Sequence, residues 1–62
     1  MCDVKAYVKQ NDHEELLLEA VNQARVERGE VIIRNLFGEE RRVPGVIIEV
    51  SLVRNRLVVE RS

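Results

Sequence analysis

From Cys2 to Lys9 the chain alternates. Cys2, Val4, Ala6 and Val8 share one parity, while Asp3, Lys5 and Lys9 take the other. A period of two is that of a strand with one buried face, so the chain is predicted to open on a half-buried β-strand with Cys2 on its apolar side. Tyr7 falls on the polar face, where its ring either caps an edge or packs against a second subunit. Further on, Val31-Ile32-Ile33 leads to Leu36-Phe37-Gly38, and Glu39 to Val43 then carries four charges before its first apolar residue. That charged stretch reads as an exposed edge or loop. After Pro44-Gly45, the even positions Val46, Ile48, Val50 and Leu52 alternate with Ile47, Glu49, Ser51 and Val53 through a long strand. Arg54-Asn55 then turns the chain into Arg56 to Glu60, giving a C-terminal hairpin; Asn at the second turn position tolerates positive φ, though the favoured Asn-Gly pair is absent.

Residues 12 to 28 support two readings. Asp12 followed by Glu15 resembles a capping box, and Leu17, Ala20, Val21 and Ala24 recur at helical spacing. Alternatively, Glu14 to Leu18 pairs back on the first strand across Gln10-Asn11-Asp12, and Ala24 to Glu27 forms another strand before a turn at Arg28-Gly29. Local propensity favours the helix, and the pattern by itself leaves both open.

Composition adds to the β reading. Fifteen residues are Val or Ile, and eleven of them lie from Val31 onward in short runs broken by Gly38, Pro44-Gly45 and Arg54-Asn55. No repeat, low-complexity tract or linker interrupts the 62 residues, so residues 1–62 are expected to form a single small domain. A domain of this size buries only about 60% of the surface that its unfolded chain exposes. Such domains gain further stability from disulfides, a metal or self-association, and one cysteine makes no internal disulfide.

Ten Lys plus Arg against eleven Asp plus Glu give a formal net charge of -1, which creates no global field for phosphate backbones or anionic lipid. Nucleic acid is therefore a disfavoured partner. No apolar run approaches the roughly 20 residues of a membrane span, and the N-terminus lacks the features of a secretory signal. A cytoplasmic location follows as the expectation, and a reducing compartment also preserves a thiol.

The candidate chemistry gathers at Met1-Cys2. A terminal amine, the adjacent backbone amide and the Cys2 thiolate converge within two residues. That donor set suits square-planar Ni(II) or Cu(II) better than tetrahedral Zn(II). Because the thiol must lose its proton, affinity is expected to rise with pH. The competing reading is a lone cysteine buried as a small hydrophobe. His13, the only histidine, lies in the polar turn Asn11-Asp12-His13-Glu14 and reads as a solvated loop residue. Asp12, Glu14 and Glu15 lack the spacing of a calcium loop and read as surface charge. Asp3 adjoins the thiol but reads as an exposed strand residue. No enzyme activity is expected, since no base can be placed beside Cys2 and the glycines at 29, 38 and 45 stand singly in turns.

Taken in order, several segments resemble the CooT family. They are Met1-Cys2, a short strand ending in a polar turn, Glu14-Glu15-Leu16-Leu17, Asn35-Leu36-Phe37-Gly38-Glu39, Val43-Pro44-Gly45 and a closing apolar hairpin. CooT proteins are small nickel-binding accessory proteins associated with carbon monoxide dehydrogenase maturation. The resemblance runs nearly end to end. It implies an all-β fold, a small SH3-like β-barrel of about six or seven short antiparallel strands, and tips residues 12 to 28 toward strands. It also implies a homodimer, with nickel held through Cys2 near the subunit interface. Chelate geometry adds the backbone nitrogens of Met1 and Cys2 as partners. A two-fold axis would bring two Cys2 sulfurs together with two nitrogens in a square plane. The function expected is thus a nickel metallochaperone or store, with Ni(II) as cargo and a nickel enzyme such as carbon monoxide dehydrogenase as client.

The alternative is an RNA-binding β-barrel. Arg25, Arg28, Arg41, Arg42, Arg54 and Arg56 would have to gather on one face, with Tyr7 or Phe37 stacking a base. Acidic residues are interspersed among those arginines, which favours a solvated surface of mixed charge.

Overall fold

A computed structural model describes residues 3–62. Six strands follow one another in the chain: β1 Lys5–Gln10, β2 His13–Leu18, β3 Val21–Glu27, β4 Glu30–Asn35, β5 Glu40–Ser51 and β6 Arg56–Arg61. No helix among the described residues is long and apolar enough to cross a membrane.

Two turns of left-handed residues decide the ambiguous region. Asn11 and Asp12 have φ of 51° and 66°, and Arg28 and Gly29 have φ of 49° and 79°. Consecutive left-handed residues make the turn whose twist matches that of paired strands, so each pair folds its flanks into a hairpin. β2 accordingly pairs antiparallel with β1, Gln10 opposite His13 and Val8 opposite Glu15, and β3 pairs antiparallel with β4. The helix suggested by Asp12 and Glu15 does not form. Long-range pairing of β2 on β1 outweighs a local propensity worth only tenths of a kcal/mol per residue.

The strands form one sheet in the order β2-β1-β6-β5-β4-β3. β5 carries it around a corner. Its first part, to Pro44, pairs with β4, and from Gly45 onward it pairs with β6. Pro44 supplies no N–H, but its carbonyl accepts from Ser62 N at 2.9 Å, while Gly45 N donates to Gly29 O at 3.0 Å. At Gly45 the corner is tight enough that an added Cβ would collide with the backbone carbonyl of Glu60.

Two expectations need correction. The sheet is open, not a closed barrel, because no ladder joins its edge strands β2 and β3. The strands are also not all antiparallel, since β1 and β6 pair parallel, Lys5 opposite Arg56 through Lys9 opposite Glu60. The charged stretch from Glu39 to Val43, expected as an exposed edge or loop, is an edge from Glu40 on, paired to β4 alone and exposed through Arg42. This edge is the start of β5, and Val43 is buried in the core.

The core lies where the bent sheet folds over itself. Ala6, Leu18, Val31, Ile33, Val43, Leu57 and Val59 fill it, with Val4, Val8, Leu17, Val21 and Ile47 packed against them. Val4, Ala6 and Val8 thus occupy the buried parity that the sequence pattern assigns to β1. On the opposite face Ile32 is also buried, and its registered neighbours Arg25 and Arg42 carry aliphatic stems long enough to cover it.

Candidate functional site

Three hydrogen bonds fix the start of the described chain. Asp3 Oδ1 accepts from Ala20 N at 3.2 Å, Val4 O accepts from Val21 N at 2.9 Å, and Lys5 N donates to Asn55 O at 2.9 Å. Ala20 holds a φ of 57°, a conformation that costs an ordinary residue energy. Both of its backbone groups are occupied, the N–H by Asp3 and the carbonyl by Leu36 N at 3.0 Å. The segment from Asp3 to Lys5 is thereby connected to three turns: β2–β3 directly, β4–β5 through Ala20, and β5–β6 through Asn55.

Two of those turns expose apolar side chains. Leu36 and Phe37 are 61% and 77% exposed on the β4–β5 turn, and Leu52 and Val53 are 81% and 94% exposed on the β5–β6 turn. The first of these turns is firmly built. Asn35, 3% exposed, accepts through Oδ1 from Phe37 N at 3.0 Å and from Glu39 N at 2.9 Å, and its Nδ2 donates to Glu39 Oε1 at 2.8 Å. The turn closes with Gly38 N donating to Asn35 O and Asn35 N donating to Glu39 O. Phe37 is therefore displayed on a rigid support. The residue pattern did not single out this turn, although an Asn three residues before a Gly is a signal that could have found it.

The metal candidates Cys2 and Met1 lie outside the described residues. Among the described residues, no group of three or more His, Cys, Asp or Glu side chains is placed to hold a metal ion. Asp3 is exposed, as expected, with its carboxylate engaged by Ala20. His13 is also exposed, although it begins β2 instead of sitting in a loop, and it lies at the other end of β1 from Asp3.

The charged side chains pair locally. Arg56 Nη2 donates to Glu14 Oε1 at 2.7 Å and Oε2 at 2.6 Å, and Arg56 Nε lies 3.5 Å from Glu49 Oε2. The hydrogen bond to Glu14 raises the Arg56 guanidinium above its ordinary pKa. Partial desolvation opposes that shift, and the nearby Glu14 and Glu49 charges add to it. Arg42 lies 3.6 Å from both Glu30 and Glu40, and Arg25 lies 3.7 Å from Glu27. Three of the six arginines that an RNA surface would require are thus engaged by carboxylates. Tyr7 has Arg56 over its ring, 4.7 Å from the centroid.

Comparison with known proteins agrees with this architecture. The chain matches the family described as CO dehydrogenase accessory protein CooT over residues 1–60. Its fold is similar to that in a crystal structure assigned to CooT from Carboxydothermus hydrogenoformans, with a TM-score of 0.86, 30% sequence identity and coverage of 98% of each chain. Among curated proteins none matches. The match to the family spans nearly the whole sequence, and the chain belongs to the CooT family of CO dehydrogenase accessory proteins.

Proposed function

We propose that this protein is a cytoplasmic, homodimeric nickel carrier that holds Ni(II) through the Cys2 thiolate and the backbone nitrogens of Met1 and Cys2, and delivers it to carbon monoxide dehydrogenase. The observation that carries the reading is the tethering of Asp3 and Val4 to the β2–β3 turn. A thiolate one peptide bond before a fixed residue loses less freedom on binding a metal than one on a free tail. Its donor set suits nickel. A deprotonated amide nitrogen is a strong-field donor and, with a covalently bound thiolate, stabilises the square plane of a d8 ion, whereas zinc gains nothing from planarity.

Support for the dimer comes from Leu36, Phe37, Leu52 and Val53, which are exposed on turns tied to the same end of β1. Apolar side chains this exposed on so small a domain favour association, and a two-fold axis covers the same patch on both copies at once. With one Cys2 from each copy in the metal plane, nickel and dimerisation reinforce each other, because a ligand that prefers the dimer stabilises it by mass action.

Native mass spectrometry with equimolar Ni(II), Zn(II) and Cu(I) tests the assembly, the metal and the stoichiometry together. Nickel is expected to produce a thiolate-to-metal charge-transfer band that rises with pH and disappears in Cys2→Ser. Unchanged nickel affinity in that variant refutes the ligand assignment.

A further inference from the structure

The buried parity of three adjacent strands turns polar at one shared end. On β1 it runs Ala6, Val8, Gln10, and on β6 it runs Leu57, Val59, Arg61. On β2 the registered partners of Val8 and Gln10 are Glu15 and His13. Since β1 also pairs in register with β6, Val8 opposite Val59, the side chains form two rows across the sheet. The first is Val59-Val8-Glu15. One step further along the strands, the second is Arg61-Gln10-His13.

Past the core the same parity is exposed to solvent, at Gln10, His13, Glu15 and Arg61. Here they surround a cleft of about 420 Å³ lined by Val8, Gln10, Asn11, His13, Glu15 and Arg61. The cleft opens at this end because the packing that buries Val59 does not extend over Glu15, Gln10, His13 and Arg61. Among the described residues, the ion pairs formed involve Arg25, Arg42 and Arg56 with their carboxylates, and none uses Arg61, His13 or Glu15. A guanidinium and a carboxylate thus face one cleft more than 4.0 Å apart, the distance within which they would count as paired.

We propose that this cleft binds a small amino acid as its zwitterion, the ligand's carboxylate on Arg61, its ammonium on Glu15 and its side chain on Val8. Arg61 offers the planar fork that recognises a carboxylate in bidentate fashion. Glu15 accepts from an ammonium, and the Gln10 amide lies between the two rows with both a donor and an acceptor to give. The opposed charges select against simple anions and simple cations, since each leaves one protein charge without a partner. A divalent metal is disfavoured too, because Arg61 repels it and Glu15 is the one carboxylate in the lining. The cleft lies at the Gln10 end of β1, and Gln10 is separated from Asp3 by roughly 23 Å of extended chain, so its occupancy is independent of nickel at Cys2.

The test is amide-resolved NMR titration of the metal-free protein, in separate arms, with L-alanine, sodium acetate, methylammonium chloride and Ni(II) chloride. Saturable shifts confined to Val8, Gln10, Asn11, His13, Glu15 and Arg61 are expected with L-alanine, with acetate and methylammonium each about tenfold weaker or more. Arg61→Ala should lose the L-alanine response, and Glu15→Gln should reduce it to the acetate level. Absence of saturable shifts with L-alanine overturns the site. Equal responses to L-alanine and acetate, or an L-alanine response untouched in Glu15→Gln, overturn the zwitterion. Shifts at His13 and Glu15 with Ni(II) and none with L-alanine would make the cleft a metal site and overturn the proposal as well.

Discussion

The guanidinium of Arg56 lies over the ring of Tyr7, 4.7 Å from its centroid, while the same side chain grips both carboxylate oxygens of Glu14. One residue on β6 therefore joins β1 and β2 on the outer face of the sheet, at positions 42 apart in sequence for the Glu14 contact. Tyr7 is the only tyrosine and the chain has no tryptophan, so intrinsic fluorescence reports on this stack alone. Arg56→Ala should change the Tyr7 emission and near-ultraviolet dichroism while the far-ultraviolet spectrum is retained. An unchanged Tyr7 signal would contradict the stacking.

The same pair sets an expectation for pH. Arg56 is raised above its ordinary pKa by Glu14, so its contribution is fully present below the ordinary guanidinium value and is lost only as pH climbs beyond it. On the arginine side, stability should be flat through the neutral range. Salt is the better probe, because Arg56 and Glu14 are partly exposed and screening weakens such pairs. Added sodium chloride should narrow the difference in melting temperature between the parent and Arg56→Ala. A difference that survives high salt would assign the effect to packing on Tyr7.

Asn35 makes a stronger claim on stability because it is buried and fully used. Asn35→Ala removes the acceptor of two backbone N–H groups and the partner of Glu39, and should cost about 2 kcal/mol in chemical denaturation. Asn35→Asp separates the two functions. It keeps the acceptor for Phe37 N and Glu39 N but sets a carboxylate against that of Glu39. Repulsion raises the folded-state pKa of the new carboxyl, so this variant should be closest to the parent at acidic pH and lose stability as pH rises through the carboxylate range. A pH-independent deficit would show that the Glu39 contact contributes little.

Much of the fold was legible in the chain, and the illegible part has a definite cause. The alternation of Val4, Ala6 and Val8 marked the buried face of β1, and Arg54-Asn55 marked the turn before β6, where Asn55 has a φ of 52°. Asp12 with Glu15 kept a helix open because the capping-box spacing is local, whereas β2 is held by pairing to β1 and by Glu14 to Arg56. The charged run from Glu39 left an exposed edge and a loop both open, because charge is usually solvated. It is a strand whose arginines remain outside while Val43 enters the core. The polar rows across β2, β1 and β6 were invisible for another reason. His13, Glu15 and Arg61 acquire a common face only once the register is known, and no spacing along the chain encodes it.

Gly45 is required by the corner in β5. Gly45→Ala places a methyl group against the Glu60 carbonyl, which belongs to backbone paired with β5 and cannot move without opening the β5–β6 ladder. The expected loss is on the order of 3 kcal/mol, read as a lower denaturation midpoint at unchanged slope. Gly38→Ala is the control that isolates sterics from conformation. Its φ of 84° strains any side chain, but the added atom meets nothing within 4 Å, so its cost should be smaller, about 1 kcal/mol. Equal costs at the two positions would mean that backbone conformation, and not the collision with Glu60, sets the requirement at Gly45.

The exposed turns beside the start of β1 separate folding from association. Leu52 and Val53 sit on the β5–β6 turn and are 81% and 94% exposed, so replacing both with Ser removes little that the isolated fold uses. Monomer stability should stay within about 0.5 kcal/mol of the parent. Association, by contrast, should weaken if these side chains are covered in a dimer, and the same holds for Leu36 and Phe37 on their Asn35-braced turn. Light scattering across a concentration series, with and without nickel, reads the difference. The doubly substituted proteins should dissociate at higher concentration than the parent, and nickel should restore part of the dimer through linkage. A dimer untouched by both pairs of substitutions would move the interface elsewhere on the sheet, toward Val46, Ile48 and Val50 on β5, which are also exposed.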